Sequence, residues 1–534
     1  MSVAIIASAA PINAEMAAEF GPLPPAFLPV GNTRLFRLQA ELLHGLADKV
    51  VLTLPASFTP SEHDRKLLDR LGVTTLAIPD GLSLADSLML AVIQSLAADE
   101  PLTILHGDTL FLDFAACPRD GLSVHKGDHP YPWAVAEEKD EFRVLPVSEE
   151  NREDADIVSG LFRFSQGLTF LKCLAGAKPD FLAALNAYAA LQPDFKAVRS
   201  CGRWLDLGHL TPYYDSRRAL TTERAFNSLS IASNIVCKTS AQSDKIEAEA
   251  AWYETLPLSL RGHVPAYLGR VPESSNRPGY SLAYEYLCPL SDLYVFGAFA
   301  PSVWRRILAT CGETLSLMRS HKPGAVETGW FGHLYEGKAV ERYRRFAAAA
   351  GVSPELGWEI NGRAFPSPLV LIEEMAALIG PPAEEDAGVL HGDFCFSNIL
   401  FDFRRGSLKM LDPRGYILPG RPGIYGDTRY DLGKLHHSVV GRYDFILAGY
   451  YDLDWPAPRS INFAVAEAGA QSEIERHFFD LICGGDPARE KTAAAISVLL
   501  FFSMLPLHDE DPDRQWALLA NGYRVYERYF GGAA

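Results

Sequence analysis

Along the first third of the chain, short apolar runs alternate with stretches whose apolar residues recur at helical spacing: residues 3–7, 35–46, 50–54, 63–71, 74–78, 84–96 and 102–105. Short continuous apolar runs read as buried strands, and the longer periodic stretches read as amphipathic helices. Strand and helix taking turns predict an α/β unit with a mostly parallel sheet covered by helices. In open sheets of that kind ligands bind beyond the carboxyl ends of the strands. Asp108 falls there, just after the strand-like LTILHGDT, and Gly81, Ser83 and Ser87 follow the 74–78 run as candidate base or ribose contacts.

Past Tyr213 the pattern changes. The helical YYDSRRALTTERAF gives way to the alternating SLSIASNIVCKTS, which predicts a β-hairpin turning at Ala232, Ser233 and Asn234. An amphipathic helix follows over about 243–256, then Pro-rich loops and the strand-like SLAYEYL before Cys288. Everything beyond Ser291 reads as mainly helical, apart from a strand–turn–strand over 399–411. The predicted organisation is an α/β unit over 1–222 and a bilobal α+β unit with a small lobe over 223–290 and a mainly helical lobe over 291–534. No internal repeat is visible, which sets aside solenoids and propellers.

Composition narrows the function classes. The 534 residues call for several packing units, and 48% apolar against 22% charged residues describe a chain that is globular throughout. A formal net charge of −17 excludes a general nucleic-acid binder, whose phosphate contacts need a basic face. The eight cysteines are scattered, without the pairing or accompanying histidines of a zinc site, and read as free thiols of a reducing cytoplasm. The opening SVAIIASAA lacks the basic flank of a signal peptide and reads as a buried strand. The apolar stretch 493–507 is shorter than a bilayer span. A cytoplasmic protein without a membrane segment is expected.

The strongest chemical signal is His391-Gly392-Asp393 followed by Asn398 and, at the end of a short hairpin, by Asp412-Pro413-Arg414-Gly415. Phosphoryl transfer needs a carboxylate to orient an attacking hydroxyl and oxygen ligands to hold magnesium on the phosphates, and one loop and one hairpin supply these groups together. The segment resembles the aminoglycoside phosphotransferase and choline kinase-like family, whose His-Gly-Asp-x-x-x-x-Asn pattern it matches in each fixed position. That resemblance implies Asp393 as the catalytic base, Asn398 and Asp412 as magnesium ligands, and His391 as a buttress of the loop. It also implies a nucleotide-gripping lysine on a small-lobe strand, for which Lys238 is the candidate, and a glutamate partner on the next helix. Glu249 is preferred there over Glu247. Asp431 is read as structural, capping a helix and steadying the loop, and Arg414 and Asp427 as substrate contacts. Trp330, Phe331, Tyr335 and Trp358 are read as core or lid packing, with lining of the acceptor pocket as the alternative.

The run Pro24-Pro25-Ala26-Phe27-Leu28-Pro29-Val30 followed by a helix resembles the sugar-nucleotidyltransferase family, as do His106-Gly107-Asp108-Thr109 and Trp204-Leu205-Asp206-Leu207-Gly208. By that resemblance Asp108 and Asp206 hold a metal that stabilises charge as an acceptor phosphate attacks a nucleoside triphosphate. Pro25 stands where the family has a lysine, and Ser8-Ala9-Ala10-Pro11 where it has a Gly-rich loop. The two resemblances together imply an enzyme that uses Mg2+, ATP and a second nucleoside triphosphate. It would phosphorylate a sugar or amino alcohol and couple the product to a nucleotide for a surface polysaccharide or lipid precursor. The alternative is a kinase whose first unit only binds substrate or assembles. Small molecules are the expected partners, with no nucleic acid or membrane, and a homo-oligomer is left open.

Overall fold

The computed structural model describes residues 1–126, 131, 133–138, 142–146, 155–199, 201–220, 227–271, 277–324, 332–416 and 421–532. The chain divides into two compact units, Met1–Leu220 with Phe296–Ala298, and Thr221–Val295 with Phe299–Ala534. The boundary expected at Thr222 lies outside the described residues.

The first unit is built on a nine-stranded mixed sheet. Its centre is parallel: Val3–Ala7 lies between Lys49–Pro55 and Leu102–His106, and Val73–Ile78 pairs with Lys49–Pro55. The strands Val3–Ala7 and Leu102–His106 are buried almost throughout, which explains their unbroken apolar sequence. Beyond Leu102–His106 the sheet turns antiparallel through the long strand Asp156–Phe164, which pairs with Gly121–Lys126 and Ala134–Glu138. A separate two-stranded ribbon joins Thr109–Leu112 to Arg203–Asp206 in a register that sets Asp206 opposite Thr109. That ribbon is what brings two distant stretches of sequence to one strand end.

The second unit opens with a four-stranded antiparallel sheet in the order Asn227–Ala232, Ile235–Ser240, Gly279–Ala283, Tyr267–Arg270. The first two strands form the expected hairpin, with Ser233 and Asn234 in left-handed conformations at its turn. The strand expected from SLAYEYL ends at Ala283. The helix Ser243–Thr255 buries Ile246, Ala248, Glu249, Ala250, Trp252 and Tyr253. The larger lobe contains the helices Pro301–Ser320, Lys338–Ala349, Pro368–Ile379, Arg429–Val439, Pro487–Met504 and Pro512–Phe530, and the hairpin of Ile399–Asp402 with Ser407–Met410.

Two expectations are corrected. Past Ser291 there is a second four-stranded sheet, made of Arg363–Phe365, Trp358–Ile360, Ser460–Val465 and Tyr451–Ala457, in addition to the hairpin. The 493–507 stretch belongs to the longer Pro487–Leu507, the one helix among the described residues long and apolar enough to cross a membrane. Its residues from Ala493 to Ser503 are buried inside this unit. All eight cysteines are free thiols.

Candidate functional site

In the second unit, three elements meet at one place. Lys238, in the middle of its strand, donates to Glu249 Oε2 at 2.7 Å and to Asp412 Oδ1 at 3.0 Å. Glu249 is buried and also accepts from Tyr280 Oη at 3.1 Å, whereas Glu247 is exposed. Burial works against the Lys238 ammonium, but the carboxylates of Asp412 and Glu249 more than offset it and raise its pKa. The lysine is therefore a fixed positive charge at neutral pH.

Asp412 sits just past the hairpin of Ile399–Asp402 and Ser407–Met410 with φ +54°, a left-handed conformation that a non-glycine residue adopts only when its surroundings hold it there. Gly415 shows how the small-lobe helix comes so near. With φ +70°, a Cβ on it would lie 2.2 Å from the Ala248 carbonyl oxygen, so glycine lets the Asp412 loop pack against the turn that carries Glu249.

Asp393 is gripped on both sides. Its Oδ1 pairs with Lys434 Nζ at 2.6 Å, and its Oδ2 accepts from Asn398 Nδ2 at 2.8 Å. Burial pushes its carboxyl up, but the Lys434 ammonium and its hydrogen bond outweigh that and hold it well below the usual carboxylate range. Asn398 Nδ2 also donates to the Asp393 carbonyl at 3.0 Å, which leaves the amide oxygen as the atom suited to a cation. His391 is fully buried and accepts from the Asp393 N–H through Nδ1 at 3.2 Å, so it positions the loop.

Asp431 lies within the helix Arg429–Val439 and does not cap it. Its carboxylate accepts from the backbone N–H groups of His391 and Gly392 at 2.7 and 2.8 Å. Burial pushes its pKa up to about 7 against those two hydrogen bonds.

Asp427 is corrected. It is fully buried, bound by Arg429 Nη2 at 2.7 Å and by the Tyr335 hydroxyl at 2.9 Å, and presents no face to a substrate. Tyr335 and Trp358 are core residues, the latter covered by Arg459 at 4.4 Å. Trp330 and Phe331 lie outside the described residues. Arg414 stacks over Tyr416 at 5.2 Å, and its Nη1 is buried without a hydrogen-bond partner. Sequence reading missed Lys434, whose only signal is its place one helical turn beyond Tyr430 on the helix that holds the loop.

In the first unit, Asp108 and Asp206 meet at the end of the two-stranded ribbon. The Leu207 N–H donates to the Asp108 carbonyl at 2.9 Å, and a Cβ on Gly208 would lie 2.2 Å from Asp108 Oδ2. Burial and the Asp206 charge push the Asp108 carboxyl up to about 6. Asp206 accepts from the Gly208 N–H at 2.9 Å and pairs with His209 Nδ1 at 2.8 Å. His209, which sequence reading missed, faces Tyr131 and Trp133 at 4.3 and 5.6 Å between ring centres. A cavity of about 200 Å3 beside them is lined by His125, Lys126, Trp133, Arg203, Trp204 and Asp206 among others. Among the described residues no group of three or more His, Cys, Asp or Glu side chains is arranged to hold a metal ion. The Asp108 and Asp206 pair fits a divalent cation only with ligands from elsewhere.

The loop after the first strand is tied, not open. Ser8 Oγ accepts from the Ala26 N–H at 3.0 Å, and the Ser8 N–H donates to Thr53 Oγ1 at 2.9 Å. Gly81 turns with φ +78°. The Ser83 hydroxyl is engaged by Asp86 in both directions, at 2.8 and 3.1 Å, and caps the helix Leu84–Ser95. Ser87 is buried within that same helix.

No family model matches the chain, and no curated protein does. Solved structures of two kinds are similar to it. The inositol-1-phosphate CTP transferase from T. maritima is 16% identical over 41% of this chain and 95% of its own, with a TM-score of 0.31. The UTP-bound UGPase from Acinetobacter baumannii is 15% identical over 42% and 94%, with a TM-score of 0.28. An aminoglycoside phosphotransferase solved with GDP and kanamycin is 12% identical over 58% and 93%, with a TM-score of 0.37.

Proposed function

We propose that the chain is a bifunctional transferase whose second unit phosphorylates a small metabolite with ATP and whose first unit joins the new phosphate to a nucleotide, releasing pyrophosphate. The observation that carries the reading is the convergence of Lys238, Glu249 and Asp412 on one side and Asp393 with Asn398 on the other, within one unit. In this reading Lys238 grips the phosphates of ATP and Glu249 keeps the lysine aimed. An acceptor hydroxyl approaches Asp393, attacks the γ-phosphorus and yields its proton to the carboxylate as ADP leaves. Magnesium bound through Asn398 and Asp412 supplies neutralisation of the phosphate charge.

In the first unit, Asp108 and Asp206 would hold the metal for attack of the product phosphate on a second nucleoside triphosphate, within the cytoplasm where both triphosphates are found. A sugar or amino alcohol bound for a surface polysaccharide or lipid precursor fits this coupling. The tied Ser8 loop favours a second reading, in which the first unit only binds substrate or assembles. Its Ser8 amide is already engaged by Thr53 and its Ser8 hydroxyl by Ala26, where a triphosphate needs free donors.

Mass spectrometry of products decides. Asp393→Asn should block the nucleotide-linked product from the free metabolite but not from its supplied phosphate, and Asp108→Ala should block it from both while the phosphorylated metabolite accumulates. Wild-type protein that releases ADP and never pyrophosphate, with any triphosphate, would leave the second reading standing.

A further inference from the structure

Beside Asp393 the second unit gathers more positive charge than it neutralises. Lys338 and Arg342 lie one turn apart on the helix Lys338–Ala349, and so share a face. Lys338 Nζ meets the hydroxyl of buried Tyr430 at 3.4 Å, and its strongest repulsions come from Arg414, Arg342 and Lys434. Arg414 lies over the same Tyr430 ring at 5.8 Å and over Tyr416 at 5.2 Å. Among the described residues the side chain of Arg342 hydrogen-bonds only a carbonyl, that of Ser503, at 3.4 Å. Lys434, one turn along the helix from Tyr430, is the member paired with an acid, Asp393.

Four cations therefore stand together, with Lys434 paired to Asp393 and Lys338 within reach of its charge. Among the described residues no acid lies within ion-pair distance of Lys338, Arg342 or Arg414, and Arg414 Nη1 is a buried donor with nothing to donate to. In a chain of net charge −17 this is no average surface. Burial and mutual repulsion depress Lys338 well below its ordinary pKa and lower that of Arg342, so the cluster is under electrostatic load.

We propose that the phosphoryl acceptor already carries an oxyanion, a carboxylate or a phosphate, seated on Lys338, Arg342 and Arg414 with Tyr430 and Tyr416 as walls, while its hydroxyl faces Asp393. The inference rests on the kinase reading and narrows it, because a neutral sugar or a cationic amino alcohol would leave the cluster uncompensated. The planar forks of two arginines suit a carboxylate or phosphate, and the lysine adds a point charge.

The full chain, held with magnesium and a non-hydrolysable ATP analogue, is titrated with inorganic phosphate, acetate and choline while unfolding is followed by heat. Phosphate or acetate should raise the melting temperature of the wild type by a few degrees, and choline should not. Lys338→Met and Arg342→Met should lose that response, and each should melt at or above the wild type without ligand, because a repelling charge is gone. Their nucleotide affinity should stay within about twofold, whereas oxyanion affinity falls about tenfold or more. A larger phosphate response marks a phosphorylated acceptor, and a larger acetate response a sugar acid or other carboxylate.

Absence of any anion response in the wild type would overturn the proposal, as would a response retained in both variants. A loss of nucleotide affinity equal to the loss for phosphate would reassign the cluster to ATP. If the analogue itself fails to bind, the kinase reading falls, and the anion titration without nucleotide still decides whether the cluster is an oxyanion site.

Discussion

Two aspartates in this chain are driven in opposite directions by their neighbours. Asp393 is stabilised as a carboxylate by Lys434 and Asn398, so its contribution to stability is present above about pH 4 and is lost as the pH falls through its depressed native value. Its replacement by Asn should cut kinase turnover by about a hundredfold or more, with nucleotide affinity nearly unchanged, as measured by initial rates of ADP release. Asp108 behaves in the reverse sense. Its native pKa of about 6 lies above its unfolded value, so between about pH 4 and 6 the native chain keeps a proton that the unfolded chain releases. Stability from this site falls as the pH rises through that window. The unfolding free energy of wild type minus that of Asp108→Asn should drop by about 2 to 3 kcal/mol from pH 4 to pH 6, and denaturant titrations at the two pH values measure it. A flat difference would mean that burial and the Asp206 charge do not raise the Asp108 carboxyl.

At the scale of elements, the site is an assembly of a strand, a helix and two loops held at close range by residues without bulk. Gly415→Ala puts a Cβ into the Ala248 carbonyl at a left-handed backbone position. It should cost about 2 kcal/mol or more and raise the KM for ATP more than that for the acceptor, since the turn carrying Glu249 is displaced. Equal changes in both KM values would argue against that placement. The loop and hairpin from His391 to Asp412 were legible in the sequence because their chemistry is local: Asp, Asn and Asp at fixed spacing on one short segment. The pairing of Lys238 with Glu249 was legible because the helix Ser243–Thr255 has a buried and an exposed face, and Glu249 falls between Ala248 and Ala250 on the buried one. Lys434 and the cluster around Tyr430 were not legible, because each depends on contacts between elements far apart in sequence. Asp427 misled for a related reason: spacing shows an acid near the loop, and only the fold shows Arg429 folded back upon it. The strands Trp358–Ile360 and Arg363–Phe365, of three residues each, are too short for alternation to stand out from a helical surround.

At the scale of the whole molecule, each of the two compact units has its own elements and its own candidate chemistry, so ligands should act on them separately. Magnesium with ATP should slow amide exchange in peptides from 227–295 and 299–532 far more than in those from 1–220, with about 2.7 kcal/mol of stabilisation at a hundredfold excess over Kd. Equal protection in both would mean that ATP itself also occupies the first unit, where the proposed reading seats the second nucleoside triphosphate. One contact in the second unit sets a further constraint on how it works. Lys238 donates to Asp412, a proposed magnesium ligand, while also gripping Glu249. A free cation arriving alone must compete with an ammonium already in place and would bring two like charges together. A triphosphate arriving with its cation gives the lysine new oxygens as it gives up the old one. The resting protein should therefore respond little to dissolved magnesium and bind the chelate instead, so that the ion and the nucleotide load as one entity and not in sequence.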